Sequence, residues 1–262
     1  MIDIHSHILF GVDDGAVTIE DSIKLINDEA AKGVTHIILT PHFKNNISEI
    51  NRDIVLENFN HLKDRVLSEG LKVQLYLGNE IFFDSNYCEV LENGNFFTLA
   101  NSKYILIEFN LSYIPDNIPE MCYEAKIRGY HPIIAHIERY NIIYNNTELL
   151  KDILNEGAHL QVNASTVVNR ESKESHKFAN YLLKHELVSF VASDVHNFGL
   201  RAFYLDESYK QVKKSYGSAY ADKIFYLNQQ KILLNKYFDT PKMQSNGGRF
   251  LSKLFRNISK NN

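Results

Sequence analysis

The sequence predicts an α/β protein whose seven βα units form a closed or nearly closed barrel. Three observations support this. Apolar, β-rich segments recur seven times along the chain. Stretches with helical spacing separate most of them, which implies βα units and a parallel sheet. The strand segments are also nearly continuous apolar runs, as expected when helices cover both faces. Seven such units suit a barrel better than an open sheet.

The strand segments, in order, are MIDIHSH (1–7), HIILT (36–40), VQLYLGNEI (73–81), YILIEF (104–109), PIIAH (132–136), HLQVN (159–163) and SFVAS (189–193). Among the helical stretches, residues 19–33 place Ile19, Ile23, Ile26 and Ala30 on one stripe, with Gly33 as the stop signal. Residues 117–129, 147–157 and 173–185 read similarly, and His61 falls in a further helical stretch. No internal repeat, low-complexity segment or linker occurs before about residue 234.

A chain of 262 residues can bury a sizeable core, as one large domain or two small ones. Hydrophobic content of 44% and charged content of 23% are ordinary for a globular protein. A net charge of −4 argues against nucleic-acid binding by the chain as a whole. The two cysteines, Cys88 and Cys122, form neither a disulfide framework nor a zinc-finger pattern, which fits a reducing cytoplasm. No signal-peptide pattern opens the sequence, and no run approaches about 18 apolar residues, so a cytoplasmic location is expected.

In a β/α barrel, chemistry sits at the carboxyl ends of the strands. His5 and His7, in DIHSHILFGVDDG (3–15), occupy alternate positions of the first strand and project together, so two neutral imidazoles can grip one divalent ion. The following strands end in His42, Glu80, Glu108, His136, Asn163, and Asp194 with His196. Every strand thus delivers a polar residue at the same end. The other histidines serve as a control. His36, His131 and His159 fall at strand starts, and His61, His176 and His185 in helices; these read as surface or hydrogen-bonded rim residues.

His5, His7, His42, His136, His196, Glu80, Glu108, Asp194 and one of Asp13 or Asp14 make nine potential ligands. One ion needs only three or four, so nine suit two or three ions with a bridging carboxylate. Four carboxylates alone would repel a phosphate ester. Three divalent ions and one hydroxide would bring the site to a net charge of about +1, which attracts one.

The segments DIHSHILFGVDDG, TPHF, GNEI, LIEF, IAHIERY, QVNAST and ASDVHN, with Arg201 beyond, together resemble the PHP (polymerase and histidinol phosphatase) superfamily. Within it the chain is similar to the bacterial manganese-dependent protein-tyrosine phosphatases of capsule and exopolysaccharide operons. The likeness spans roughly residues 2 to 234 and implies a distorted (β/α)7 barrel of the PHP type holding three metals. It implies one ion on His5, His7, Glu80 and Asp194, and a second on Glu108 and His136, with Glu80 bridging. It implies a third on Asp14, His42 and His196, so that Asp14 rather than Asp13 is the ligand. Asp13 then suits an orienting role. Glu138 reads as an outer-layer or surface residue, and Asp3 as buried and hydrogen-bonded. Arg139 and Arg201 match the arginines that clamp phosphate in this family, where the guanidinium fork suits two parallel hydrogen bonds. Some relatives carry a basic residue directly after the histidine matching His42. Here Phe43 and then Lys44 follow, so the loop from Lys44 to Arg52 is expected to shape the substrate site differently.

The resemblance implies hydrolysis of phosphotyrosine by water activated at the metals, with no phosphoenzyme. The cofactor would be manganese, with iron or zinc as other ions that such ligands suit. The implied substrate is a phosphotyrosine protein, a membrane-bound bacterial tyrosine kinase that governs polysaccharide export. A small-molecule phosphatase such as histidinol phosphatase, a mononuclear or binuclear hydrolase of the amidohydrolase type, and a non-catalytic metal-containing binding protein are the alternatives. A competing signature, C-x5-R in Cys122–Arg128, lacks the Gly- and Ser-rich loop that lowers a thiol pKa and reads as a helix.

Residues 235–262 read as a basic C-terminal extension. Residues 242–262 carry Lys242, Arg249, Lys253, Arg256 and Lys260 and no acid. Phe250, Leu251, Leu254, Phe255 and Ile258 would share one face of a short helix. It would pack on the barrel, stay unfolded, or rest on an anionic membrane beside the kinase.

Overall fold

The computed structural model describes residues 1–44, 52–112, 114–199 and 201–243. Among these, the strands are β1 (Ile2–Ser6), β2 (His36–Leu39), β3 (His42–Phe43), β4 (Gln74–Leu77), β5 (Glu80–Phe82), β6 (Tyr104–Glu108), β7 (His131–Ile134), β8 (His159–Asn163) and β9 (Phe190–Ala192). They occupy the seven expected positions, because β2 with β3 and β4 with β5 each share one. The sequence read each of these pairs as a single strand. Pro41, which has no N–H for the ladder, interrupts the first. In the second, the Asn79 side chain takes over main-chain partners, donating to Pro41 O at 2.8 Å and accepting from Phe97 N at 2.7 Å. A Cβ on Gly78 would stand 2.7 Å from Leu99 Cδ2 and 3.3 Å from Leu99 Cα, so a larger residue there would force Leu99 to shift.

All strand pairs are parallel, in the orders β1-β2-β4 and β3-β5-β6-β7-β8-β9. Gly78 N donates to Leu39 O at 2.8 Å and Glu80 N to Pro41 O at 3.2 Å, which joins the two sets. Beyond β9, Asp194 N donates to His5 O at 2.8 Å and His7 N to Val195 O at 2.9 Å. The sheet therefore curls back onto β1 as a distorted (β/α)7 barrel. Ile2, Ile4, Ile38, Leu106, Ile133 and Phe190, one or two from each of several strands, pack as a separate apolar cluster. Such a plug fills a barrel interior and leaves only the strand ends for chemistry.

The expected helices form at Ile19–Ala31, Ile118–Ile127, Thr147–Asn155 and Lys173–Lys184. Their starts have local causes. Thr18 and Asp21 form a reciprocal capping box, and the side chains of Asn146 and Ser172 accept from main-chain N–H groups three residues on. His61 lies in the helix Arg52–Ser68, as expected. The helices Tyr87–Asn93 and Leu205–Tyr216 were not read from the sequence; the latter buries only Leu205, Ser208 and Val212, too narrow a stripe to stand out.

Past Leu234 the chain runs along the strand starts. Tyr104 Oη donates to Lys236 O at 2.9 Å, Lys103 N donates to Asn235 Oδ1 at 2.9 Å, and Phe238 lies 4.3 Å from the His159 ring. Packing against the barrel thus continues to Thr240, whose hydroxyl donates to Leu154 O. The expected helix within 247–258 lies outside the described residues, as does the loop 45–51. No helix among the described residues is long and apolar enough to cross a membrane.

Candidate metal centre

The strand ends bring the expected residues to one mouth. His5 Nε2 lies 3.3 Å from His7 Nε2, 3.3 Å from Glu80 Oε2 and 3.4 Å from Asp194 Oδ1. His7 Nε2 lies 3.2 Å from Glu80 Oε2 and 3.6 Å from Asp194 Oδ1. Four donors arranged tetrahedrally at about 2.1 Å from one ion stand about 3.4 Å apart. His5, His7 and Glu80 already have about that spacing, so a divalent ion fits these three with little movement, while Asp194 approaches the same imidazoles from its own group with His5 and His136.

Glu80 turns its other oxygen elsewhere. Its Oε1 lies 2.8 Å from His136 Nε2, so one carboxylate faces two donor groups, as a bridging ligand must. Asp14 Oδ1 lies 3.3 Å from both His42 Nε2 and His196 Nε2, which brings together the third expected set. The groupings differ from expectation in more than one place: Asp194 gathers with His5 and His136 rather than with Glu80, and His7 also joins Asp14, His42 and His196. Glu108 gathers with His42 and Glu80, its Oε1 lying 3.1 Å from His42 Nδ1, rather than with His136; His136 clusters with His5 and Asp194. Buried Glu80 Oε2, His42 Nδ1, His136 Nδ1 and His196 Nε2 lack hydrogen-bond partners, a state that a cation at the cluster relieves for donors facing it.

Local backbone geometry aims two of the donors. His136 and Asp194 sit at φ +35° and +53°, the left-handed region that costs non-glycine residues energy and is tolerated at functional sites. Gly15 is needed for a different reason: a Cβ there would lie 1.9 Å from His7 O. The turn of VDDG therefore packs directly on the first strand and swings Asp13 and Asp14 to the cluster.

Around the donors runs a layer of orienting bonds. Asp13 Oδ2 accepts from His7 Nδ1 at 2.7 Å and from His42 N at 3.2 Å, and Oδ1 accepts from Gly15 N at 2.9 Å. Asp13 thus orients His7 while Asp14 faces His42 and His196. Gln161 Oε1 accepts from His136 N at 2.9 Å and meets His5 Nδ1 at 3.1 Å, which puts the His5 proton on Nδ1 and leaves Nε2 for the cluster. The Gln161 amide donates to Asn163 Oδ1, and Asn163 Nδ2 donates to Asp194 Oδ2 at 2.7 Å. Glu138, fully buried, accepts from Asn163 N at 3.0 Å, and burial pushes its carboxyl up to about 6 against the pull of His136. Of these residues, sequence reasoning missed Gln161. Its signal was the Q-x-N alternation inside the apolar strand HLQVN, which marks an inward polar face.

The electrostatics match a site built for cations. Burial alone would depress the imidazoles, yet Asp13 and Glu80 raise His7 to about 9, and Glu108 and Glu80 raise His42 to about 11. Glu80 is driven well below the carboxylate range despite its burial, by the charge of His5 and by the hydrogen bond from His136. Where divalent ions fit, the carboxylates otherwise hold protons on the histidines.

The two arginines reach the same mouth. Arg201 Nη2 lies 2.9 Å from Asp194 Oδ1 and Nη1 lies 3.2 Å from Asp14 Oδ2, while Arg139 Nη1 stands 3.9 Å from Asp194 Oδ2. Both line a cavity of about 320 Å³ together with His42, Glu80, Glu108 and His136.

The remaining candidates have structural roles. Asp3 is buried and accepts from Ser193 N and Oγ. Cys122 is fully buried in the helix Ile118–Ile127, burial pushes its thiol up to about 12, and Arg128 pairs with Glu124 and Glu92. His36, His131 and His159 begin β2, β7 and β8. His159 is buried against Ser189 Oγ, and His176 Nδ1 donates to Thr166 O at 2.7 Å.

Comparison with known proteins places the site in context. A family model described as capsular polysaccharide synthesis, CpsB/CapC, matches residues 1–234. The chain is 38% identical over 242 residues to the tyrosine-protein phosphatase CpsB of Streptococcus agalactiae, covering 90% of this chain and 100% of the relative. It is 34% identical over 218 residues to the tyrosine-protein phosphatase YwqE of Bacillus subtilis, covering 83% and 86%. A chain from the crystal structures of YwqE from Bacillus subtilis and CpsB from Streptococcus pneumoniae, described as unique metal-dependent tyrosine phosphatases, superposes with a TM-score of 0.87 at 32% identity, covering 93% of this chain and 98% of that one.

Proposed function

Because the chain belongs to the CpsB/CapC family of capsular polysaccharide synthesis, we propose that its strand-end cluster is the catalytic centre of a metal-dependent tyrosine phosphatase. The enzyme is a phosphomonoester hydrolase, as its relatives' names and the metal-dependent structural match support. The proposed ligands are His5, His7, Asp14, His42, Glu80, Glu108, His136, Asp194 and His196. The observation that carries this reading is Glu80, whose two oxygens face separate donor sets beside two arginines.

Divalent ions held there would lower the pKa of water into the neutral range and offset the charge of the ester. The chain's own groups do the rest. Glu80 fixes the spacing between two donor sets. Asp13 and Gln161 hold His7 and His5 with Nε2 toward the cluster. Arg139 and Arg201 grip the non-bridging phosphate oxygens; Arg201 exchanges its carboxylate partners for the phosphate. Tyrosine leaves readily, with a free pKa near about 10, so no side-chain acid need protonate it. No side-chain nucleophile is required, and buried Cys122 could not supply one.

Manganese is the proposed ion, with iron and zinc compatible with the same donors. The proposed substrate is a phosphotyrosine protein, specifically a membrane-bound bacterial tyrosine kinase of capsule synthesis; the capsule family match supports this. Residues 244–262, outside the described residues, are proposed as a basic tail that touches the membrane near that kinase. Turnover of a phosphotyrosine peptide against histidinol phosphate, both with manganese, tests the reading. Higher kcat/KM for the peptide is expected; preference for histidinol phosphate would overturn it in favour of a small-molecule phosphatase, and no turnover of either would leave a binding protein.

A further inference from the structure

We propose that Phe82 and Leu111 form the seat of the substrate's aromatic ring and make this site selective for aryl over alkyl phosphate esters; the proposal rests on the phosphatase reading above. The cavity of about 320 Å³ is two-sided. Four candidate metal ligands, His42, Glu80, Glu108 and His136, and both arginines line it, and so do Lys44, Phe82, Phe109, Asn110 and Leu111. Phe82 follows Glu80 by two residues on β5, so the two side chains share a face about 6.6 Å apart along the strand. Phe82 therefore stands one pleat outward from the carboxylate that faces two donor sets. Leu111 follows Glu108 by three residues beyond the end of β6 and is 42% exposed. Phe109 differs from both: it is 1% exposed and its N–H is held by Tyr140 Oη at 3.0 Å, which makes it a fixed part of the wall.

The arrangement fits how an aryl phosphate differs from an alkyl one. In a phenyl ester the ring is bonded to the ester oxygen itself, so with the phosphate between the ligands and the arginines the ring falls within about one pleat of the cluster. Phe82 is at that height, and Leu111 lines the same cavity. A phosphoserine has no ring to lay against Phe82 and Leu111, so it would leave that apolar surface in water, although Asn110 and Lys44 add polar groups to the same wall. Lys44 Nζ stands 5.3 Å from the Phe82 ring centre, so this wall joins an apolar face to a cation, complementary to a ring that carries an anion.

Steady-state kinetics of Phe82→Ala and Leu111→Ala, with inorganic phosphate as a ringless competitive inhibitor, tests the assignment. KM for a phosphotyrosine peptide is expected to rise about tenfold in Phe82→Ala, the scale of one lost aromatic contact, and severalfold in Leu111→Ala. The inhibition constant for phosphate and the metal content should stay within twofold of wild type, and Phe82→Leu should recover part of the loss. An unchanged KM in both variants, or a KM and phosphate constant that rise in parallel, would overturn the ring seat. Failure of the wild-type protein to hydrolyse the peptide at all would instead defeat the phosphatase reading itself.

Discussion

Asp13 Oδ2 accepts the Nδ1 proton of His7 across 2.7 Å, and that bond decides which ring nitrogen of His7 faces the cluster. His7 holds Asp13 down at about 2, against the effect of its burial, so the carboxylate stays ionised throughout the neutral range. The two adjacent acids of VDDG therefore have separate duties, one orienting an imidazole and the other facing His42 and His196.

Asp13→Ala removes the acceptor that holds His7. Loss of an outer partner of this kind costs about 10- to 100-fold in metal affinity or activity. Metal titration of the folded variant, followed by peptide turnover, should show a loss in that range that excess manganese partly restores. Wild-type metal affinity in Asp13→Ala would show that the bond has no orienting role.

Arg139→Lys and Arg201→Lys keep the charge but lose the fork that matches two phosphate oxygens. Each should retain its metal and lose about tenfold or more in kcat/KM for a phosphotyrosine peptide. Metal loss in either variant would mean that the arginine supports the cluster rather than the substrate. Arg201 is the more exposed to that outcome, because it already touches Asp14 and Asp194.

Glu29 gives a pH dependence of stability. Its side chain is fully buried on the helix Ile19–Ala31, neither oxygen has a hydrogen-bond partner, and burial, followed by Asp3 and Asp28, pushes its carboxyl well above the usual range. An unfolded glutamate titrates near about 4.3. Between that value and its raised folded value, the native state binds the extra proton, so stability falls as pH rises through the window. Below about pH 4 both states are protonated and the penalty vanishes. Glu29→Gln should therefore raise Tm at pH 7.5 by about 2–4 °C for each kcal/mol recovered, with the gap closing toward pH 4. A lower Tm for Glu29→Gln at pH 7.5 would show that the buried carboxyl is stabilising.

Much of the site was legible because the strands of a β/α barrel end on one face, so reading only their last residues already collected His5, His7, His42, Glu80, Glu108, His136, Asp194 and His196. The controls were legible for the same reason: His36, His131 and His159 begin strands and lie at the other end. Other features depend on three-dimensional proximity. Gln161 serves His5 from 156 positions away, which local spacing cannot reveal. The left-handed backbone at His136 and Asp194 is imposed by the turns that follow β7 and β9, in two residue types that tolerate it better than most non-glycines. The break in the third strand arises where Asn79 reaches across to Pro41 and Phe97, a tertiary substitution for ladder bonds. The association of Glu108 with His42 rather than His136 likewise reflects where β6 ends relative to its neighbours.

Elemental analysis coupled to turnover, carried out on wild type and Glu80→Ala, tests the multinuclear centre most directly. The wild-type chain is expected to bind more than one and up to three divalent ions, to lose turnover of a phosphotyrosine peptide on chelation, and to regain it with manganese. Glu80→Ala should lose most of the metal and nearly all of the turnover. Wild-type turnover in Glu80→Ala, or in metal-free protein, would contradict a catalytic cluster bridged by Glu80.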